Sequence, residues 1–196
     1  MFEKITDRMK ELMAELEEMD ARERKDGTSL LRRLRQIPPE TGRFLAILAA
    51  NSPEGEFVEI ETSGCYSAMW LSLACMQRGI RLKTIEIMEE KIAVAKETLK
   101  KADLEEAVEL FEGDALEIVQ GFDDIAFCFL DAEKELYEQC YDLVIPKLVQ
   151  GGLLVADNAI SHVGILKSMI EKAMSDPRVD SIVVPIGSGE LICRKR

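Results

Sequence analysis

From Phe57 onward the chain alternates short apolar runs with longer amphipathic stretches, and this alternation constrains the fold more than any other feature. Short apolar runs bounded by polar or turn residues read as strands. Longer stretches with apolar residues three or four apart read as helices. Strands are therefore predicted at Phe57–Ile60, Leu82–Ile87, Ala107–Phe111, Ile125–Leu130 and Leu153–Ala156. Helices are predicted at Ser67–Gln77, Lys91–Lys101, Leu136–Lys147 and Ile165–Ser175, with a short one near Leu116–Val119. Strands that alternate with helices imply a parallel sheet covered on both faces. The end departs from the pattern, because Ser181–Ile186, Gly187-Ser188-Gly189 and Glu190–Cys193 read together as a β-hairpin. The expected fold is α/β, with a mostly parallel seven-stranded sheet, a C-terminal antiparallel hairpin and helices on both faces.

The N-terminal part reads as helical. Phe2, Ile5, Met9, Leu12, Leu16 and Met19 recur at steps of three and four, which predicts one stripe along a helix through the first 20 residues. Such a stripe suits packing on its own domain or against a second copy; the second reading makes a homodimer the expected assembly. Lys25-Asp26-Gly27-Thr28 reads as a turn, with a helix cap at Thr28 or Ser29. Pro38-Pro39 breaks the chain, and Thr41 to Ala50 reads as a buried helix ended by Asn51-Ser52-Pro53. No composition shift marks a linker, so residues 1–196 are expected to form one domain, with a helical segment 1–38 and an α/β core 39–196.

Composition narrows the function classes. Apolar residues make up 47% and charged residues 32% of the 196, an ordinary globular balance. A net charge of −12 repels phosphate backbones and disfavours non-specific nucleic-acid binding. Arg32, Arg33 and Arg35 form the one dense basic cluster. The start, MFEKITDRMK, carries no apolar signal region, and no apolar stretch is long enough to span a bilayer. Five cysteines without a CxxC pair suit free thiols in a reducing cytoplasm.

In open α/β sheets, ligands bind beyond the carboxyl ends of the strands, near the point where strand order reverses. An acid falls at each predicted strand end: Glu59 and Glu61 in Glu61-Thr62-Ser63-Gly64-Cys65, then Glu86, Asp114 after Gly113, Asp131, and Asp157-Asn158. A carboxylate at Glu86 suits the two adjacent hydroxyls of a ribose, although a solvated charge fits equally well. Asp114 alone reads better as a helix cap. Asp131, Asp157 and Asn158 would offer three oxygen donors from neighbouring strand ends, the type that hard cations prefer. Histidine ligation is disfavoured, since His162 is the one histidine. Lys134, one turn after Asp131, is by composition a surface charge; beside a metal and a sulfonium it becomes a candidate base.

In order and spacing these segments resemble the cation-dependent O-methyltransferases, the group that includes the catechol and caffeoyl-CoA enzymes. The resemblance runs from about Ile37 to the C-terminus through VEIETSGCYSAMWLS, LKTIEI, FEGDALEIV, FLDAEKELY and GGLLVADNAISH. It implies a Rossmann-like class I methyltransferase fold, with S-adenosylmethionine and a divalent cation (Mg²⁺, with Mn²⁺ or Ca²⁺ as alternatives) as cofactors. It also implies a small, catechol-like hydroxyl acceptor. Glu59 and Glu61 would lie at the methionine end of the cofactor, with Thr62, Ser63, Gly64 and Ser67 along its loop. Glu86 beside Ile87 would accept the ribose hydroxyls, and Gly113, Asp114 and Ala115 would flank the adenine. Asp131, Asp157 and Asn158 would hold the metal, Asp131 also bordering the cofactor, and Lys134 would be the candidate base.

Two positions depart from the family's loop: Glu61 and Cys65 stand where glycines are expected. Glycine at such points permits positive φ and close approach of backbone to ligand. Glu61 either pairs with the cofactor's ammonium or obstructs binding. A catalytically degenerate relative and a methyltransferase of a hydroxylated RNA base therefore stay open as alternatives. A nicotinamide-dependent oxidoreductase is disfavoured by the absence of G-x-G-x-x-G after Ile60. His162 reads as a loop residue or as part of a pocket wall.

Overall fold

The computed structural model describes all 196 residues. Seven strands form one sheet: β1 (Glu56–Ile60), β2 (Leu82–Glu86), β3 (Val108–Glu112), β4 (Ile125–Leu130), β5 (Leu148–Ala156), β6 (Val179–Val184) and β7 (Glu190–Lys195). Their order is β3-β2-β1-β4-β5-β7-β6. The first five run parallel, and β7 lies antiparallel between β5 and β6. The α/β fold with a C-terminal antiparallel hairpin is therefore as the alternation implied. Seven helices cover the sheet: α1 (Asp7–Glu23), α2 (Pro39–Ala50), α3 (Tyr66–Arg78), α4 (Glu89–Ala102), α5 (Ala115–Ile118), α6 (Tyr137–Lys147) and α7 (Val163–Ser175).

Alternate residues of the central strands feed two cores. Phe57 and Phe127 pack on one side of the sheet with Leu45, Met69 and Leu73. Their neighbours Val58 and Cys128 pack on the other with Tyr141, Val144 and Leu154. This period-two alternation is what a sheet covered on both faces requires.

Four local expectations need correction. The N-terminal helix begins at Asp7, not at the chain start. Thr6 caps it by accepting from the Met9 N–H at 3.1 Å, and residues Phe2–Lys4 form a separate 3₁₀ turn. Its stripe packs on its own chain: Met9, Leu12, Met13 and Leu16 are buried in the same core as Leu45 and Phe57. No helix starts at Thr28 or Ser29. The amides that would continue one are captured elsewhere, Leu34 N–H by Glu23 Oε2 at 2.7 Å and Arg35 N–H by Asp20 Oδ1 at 3.1 Å. Strand β2 stops at Glu86, leaving Ile87 largely exposed. Strand β5 starts at Leu148, through Gly151-Gly152; a Cβ on Gly152 would stand 2.9 Å from two backbone carbonyls. No helix is long and apolar enough to cross a membrane.

Candidate active site

Strand order reverses between β1 and β4, and the ladder continues one residue beyond their ends. Asp131 N–H donates to Ile60 O at 3.3 Å, and Asp157 N–H to Leu130 O at 3.0 Å. These bonds set Asp131 and Asp157 side by side at the rim of β4 and β5. A cavity of about 520 Å³ opens over them. It is lined by Glu61, Ser63, Ser67, Asp131, Lys134, Asp157 and Asn158, so seven of the expected site residues share one space.

The loop after β1 explains how this chain manages without two glycines. Glu61, Ser63 and Cys65 all adopt left-handed backbone, at φ 72°, 49° and 68°. The geometry that glycine normally supplies is kept, at a cost of roughly 1–2 kcal/mol for each L residue. Cys65 then opens α3 with its side chain fully buried; burial pushes its thiol well above the ordinary range, so it packs rather than reacts. All five cysteines are free and buried. Glu61 reaches across the cleft: Oε1 accepts from the Glu133 N–H at 3.1 Å, and Oε2 lies 3.9 Å from the Arg35 guanidinium. Arg35 also pairs with Glu133. Burial raises the Glu61 carboxyl, and the nearby Lys91 ammonium pulls it back down.

Behind the loop lies a buried hydrogen-bond chain. Thr62 and Thr84 hydroxyls meet at 2.5 Å, and Thr84 donates to Glu59 Oε2 at 2.5 Å. Glu59 is fully buried and its other oxygen, Oε1, has no partner. Burial pushes this carboxyl to about 7. Glu86 is also buried, and its carboxylate accepts from the Ser63, Ile87 and Met88 N–H groups, each at 2.9 Å. Gly113 donates to Glu86 O at 2.8 Å, and Asp114 caps α5 through the Leu116 N–H at 2.8 Å. Thus Ile87, Gly113, Asp114 and Ala115 lie along the β2–β3 rim, outside the cavity. Asp114 performs the capping role its local sequence suggested.

Asp131 is pushed to about 7, first by burial and then by the charge of Asp157, with Lys134 acting against both. The Lys134 ammonium donates to Asp131 Oδ1 at 3.2 Å, Ala132 O at 2.8 Å and the Tyr137 hydroxyl at 3.1 Å. All three of its donors are committed. Asp157 and Asn158 are buried, Asn158 at φ 68°, with its N–H donating to Asp157 Oδ1 at 2.6 Å. No three acidic, histidine or cysteine side chains converge on one point as they stand. The donor set nevertheless suits a hard cation: two carboxylates and an amide oxygen, with one lysine offsetting them. His162 lines the exposed mouth of the cavity, its Nδ1 2.9 Å from Ser161 Oγ.

Sequence reading missed Arg35, Lys91 and Glu133, all of which line the cavity. Arg35 belongs to the basic cluster Arg32-Arg33-Leu34-Arg35, whose meaning depends on that segment folding over the loop. It does: Ser63 Oγ donates to Leu34 O at 2.7 Å, and a Cβ on Gly64 would stand 3.0 Å from Leu16 and 3.2 Å from Gln36. Residues 34–38 roof the cavity.

An acid-lined cleft at a strand-order reversal, beside a left-handed loop that opens a helix, defines a ligand-binding α/β protein. Comparison with known proteins supplies the rest. The family model described as O-methyltransferase matches residues 3–196, and the chain belongs to that family. A catechol O-methyltransferase from Niastella koreensis is 30% identical over 129 residues, covering 63% of this chain and 58% of that one. Caffeoyl-CoA O-methyltransferase 2 from Populus trichocarpa is 25% identical over 181 residues, covering 80% and 73%. An O-methyltransferase from Bacillus cereus, solved in complex with SAH, shares the fold with a TM-score of 0.77 at 22% identity, covering 95% of this chain and 91% of that one.

Proposed function

We propose that this chain is an S-adenosylmethionine- and divalent-cation-dependent O-methyltransferase that acts on a hydroxyl of a small, catechol-like acceptor. The observation that carries the reading is the shared cavity of Asp131, Lys134, Asp157 and Asn158 beside the left-handed loop. When bound, the cofactor supplies the methyl group and the cation supplies Lewis acidity that lowers the pKa of the acceptor hydroxyl. Asp131, Asp157 and Asn158 would hold the cation. Glu59 Oε1 becomes an acceptor for a ligand ammonium only if the loop in front of it opens, since Glu59 is fully buried and does not line the cavity. Lys134, held at Asp131 Oδ1, is placed to take the hydroxyl proton in its neutral form, after one of the three protons of its ammonium has left, because the ammonium itself has no lone pair to accept one. The roof of residues 34–38 limits water and orients the acceptor. A cavity of this volume falls in the ordinary range for small ligands.

One observation favours a second reading, a degenerate relative that has lost cofactor binding. Glu86 is 2% exposed, and its carboxylate is already engaged by three backbone N–H groups. A ribose reaches it only if Ser63 and the roof above move. Thermal melting with S-adenosylmethionine separates the two readings. Ligand at about 100 times its dissociation constant stabilises the fold by roughly 2.7 kcal/mol, hence a rise of roughly 5–10 °C. A flat response in cofactor-free protein supports the degenerate reading instead. For the cation, Asp157→Ala is expected to abolish metal-dependent turnover; undiminished turnover removes the metal assignment.

A further inference from the structure

Glu190 is the first residue of β7 and is completely buried, and no N–H or hydroxyl group donates to either carboxyl oxygen. The β5–β7 register pairs Leu191 with Ala156, so Glu190 stands opposite Asp157 across the antiparallel ladder. Directly opposed side chains in such a pair share one face of the sheet. The turn is fixed by the Ala159 N–H donating to Gly189 O at 2.8 Å. Asp157 is itself only 3% exposed. Two acidic side chains therefore face each other in the interior, near enough for a carboxyl–carboxylate hydrogen bond, and no N–H or hydroxyl group donates to Glu190. Lys134 is the cation of this cluster, and its three N–H groups go to Asp131, Ala132 O and Tyr137.

A buried acid with no partner is unfavourable unless something neutralises it. Packing gives no reason for an acid here, since Leu191, Ile192 and Cys193 continue the strand with apolar side chains. We propose that Glu190 is a fourth oxygen-donor residue of the cation site, joining Asp131, Asp157 and Asn158. The inference rests on the cation reading above. The ladder places Glu190 beside Asp157, and because the three acids do not converge on one point as they stand, a shared ion requires their side chains to turn toward it. With Glu190 the site holds three carboxylates and one amide. Such a set displaces more water from the ion than Mg²⁺ readily gives up, and it favours Ca²⁺; Mn²⁺, which takes the same oxygen ligands, serves as the spectroscopic probe.

The test measures Mn²⁺ binding to the full chain by loss of the free-ion electron paramagnetic resonance signal, with and without S-adenosylmethionine. Wild type, Glu190→Gln, Glu190→Leu and Asp157→Ala are compared. The proposal expects Glu190→Gln and Glu190→Leu to weaken Mn²⁺ binding at least tenfold. It also expects both to melt at a higher temperature than wild type when metal is absent, because an uncompensated buried acid has gone. Cooperative melts show that both variants fold. If Mn²⁺ affinity survives in both Glu190 variants but falls in Asp157→Ala, Glu190 is not a ligand and the cation site stands without it. If wild type binds no Mn²⁺ under either condition, the cation reading and the Glu190 proposal fall together.

Discussion

At the scale of single residues, the site is governed by buried acids. Glu59 shows the consequence most directly, since burial raises its carboxyl from the usual 4.5 to about 7. Below about pH 4.5 it is protonated in folded and unfolded chains alike. Between 4.5 and 7 the unfolded chain releases the proton while the folded chain keeps it, so stability falls as pH rises; above 7 the loss is complete. The linkage is worth on the order of 3 kcal/mol. Glu59→Gln is therefore expected to gain stability over wild type progressively from pH 4.5 to 7 in ligand-free protein. Urea melts across that range check it, and parallel curves for the two proteins would contradict it. Lys134→Ala is expected to lower turnover while melting-temperature shifts with S-adenosylmethionine persist; normal turnover would reduce Lys134 to a structural partner of Asp131.

Elements place these residues through contacts that propensity alone does not anticipate. Helix α2 crosses α3 at Gly42, where an added Cβ would lie 2.3 Å from the Trp70 ring. Alanine in a helix gains about 1 kcal/mol over glycine, whereas overpacking a rigid indole costs typically 1–3 kcal/mol. Gly42→Ala is thus expected to lower stability by about 1 kcal/mol, read as a lower urea midpoint with unchanged slope. A rise would mean that Trp70 moves aside freely. The strand-end acids were legible because the end of an apolar run is visible in the sequence, and side chains beyond it fall at the rim of the sheet. Glu190 was not legible as a neighbour of Asp157: only the β5–β7 register sets the two against each other.

For the whole molecule, the N-terminal segment is structural as well as a roof. Met9, Leu12, Met13 and Leu16 are all at most 6% exposed. Deleting such side chains costs roughly 2–5 kcal/mol each, against a total stability of about 5–15 kcal/mol. A chain lacking residues 1–25 is therefore expected to lose its cooperative thermal transition. A sharp melt for that truncated chain would show that the α/β core stands alone. The stripe that suggested a homodimer faces the protein's own core, so the proposed dimer needs another surface; light scattering at several concentrations gives the assembly directly.

The sequence by itself determined the sheet, its mixed strand direction and the residues at the ends of its strands, because hydrophobic period and turn chemistry are local properties. It also carried the family, through motifs that stay contiguous in the chain. Only the tertiary structure decided that Arg35 ties Glu61 to Glu133, that Glu86 is sealed by the Ser63 amide, and that Glu190 faces Asp157. Each of these joins residues distant in sequence, and each depends on burial, which removes water as the alternative partner. Neither condition is written in any short stretch of the chain.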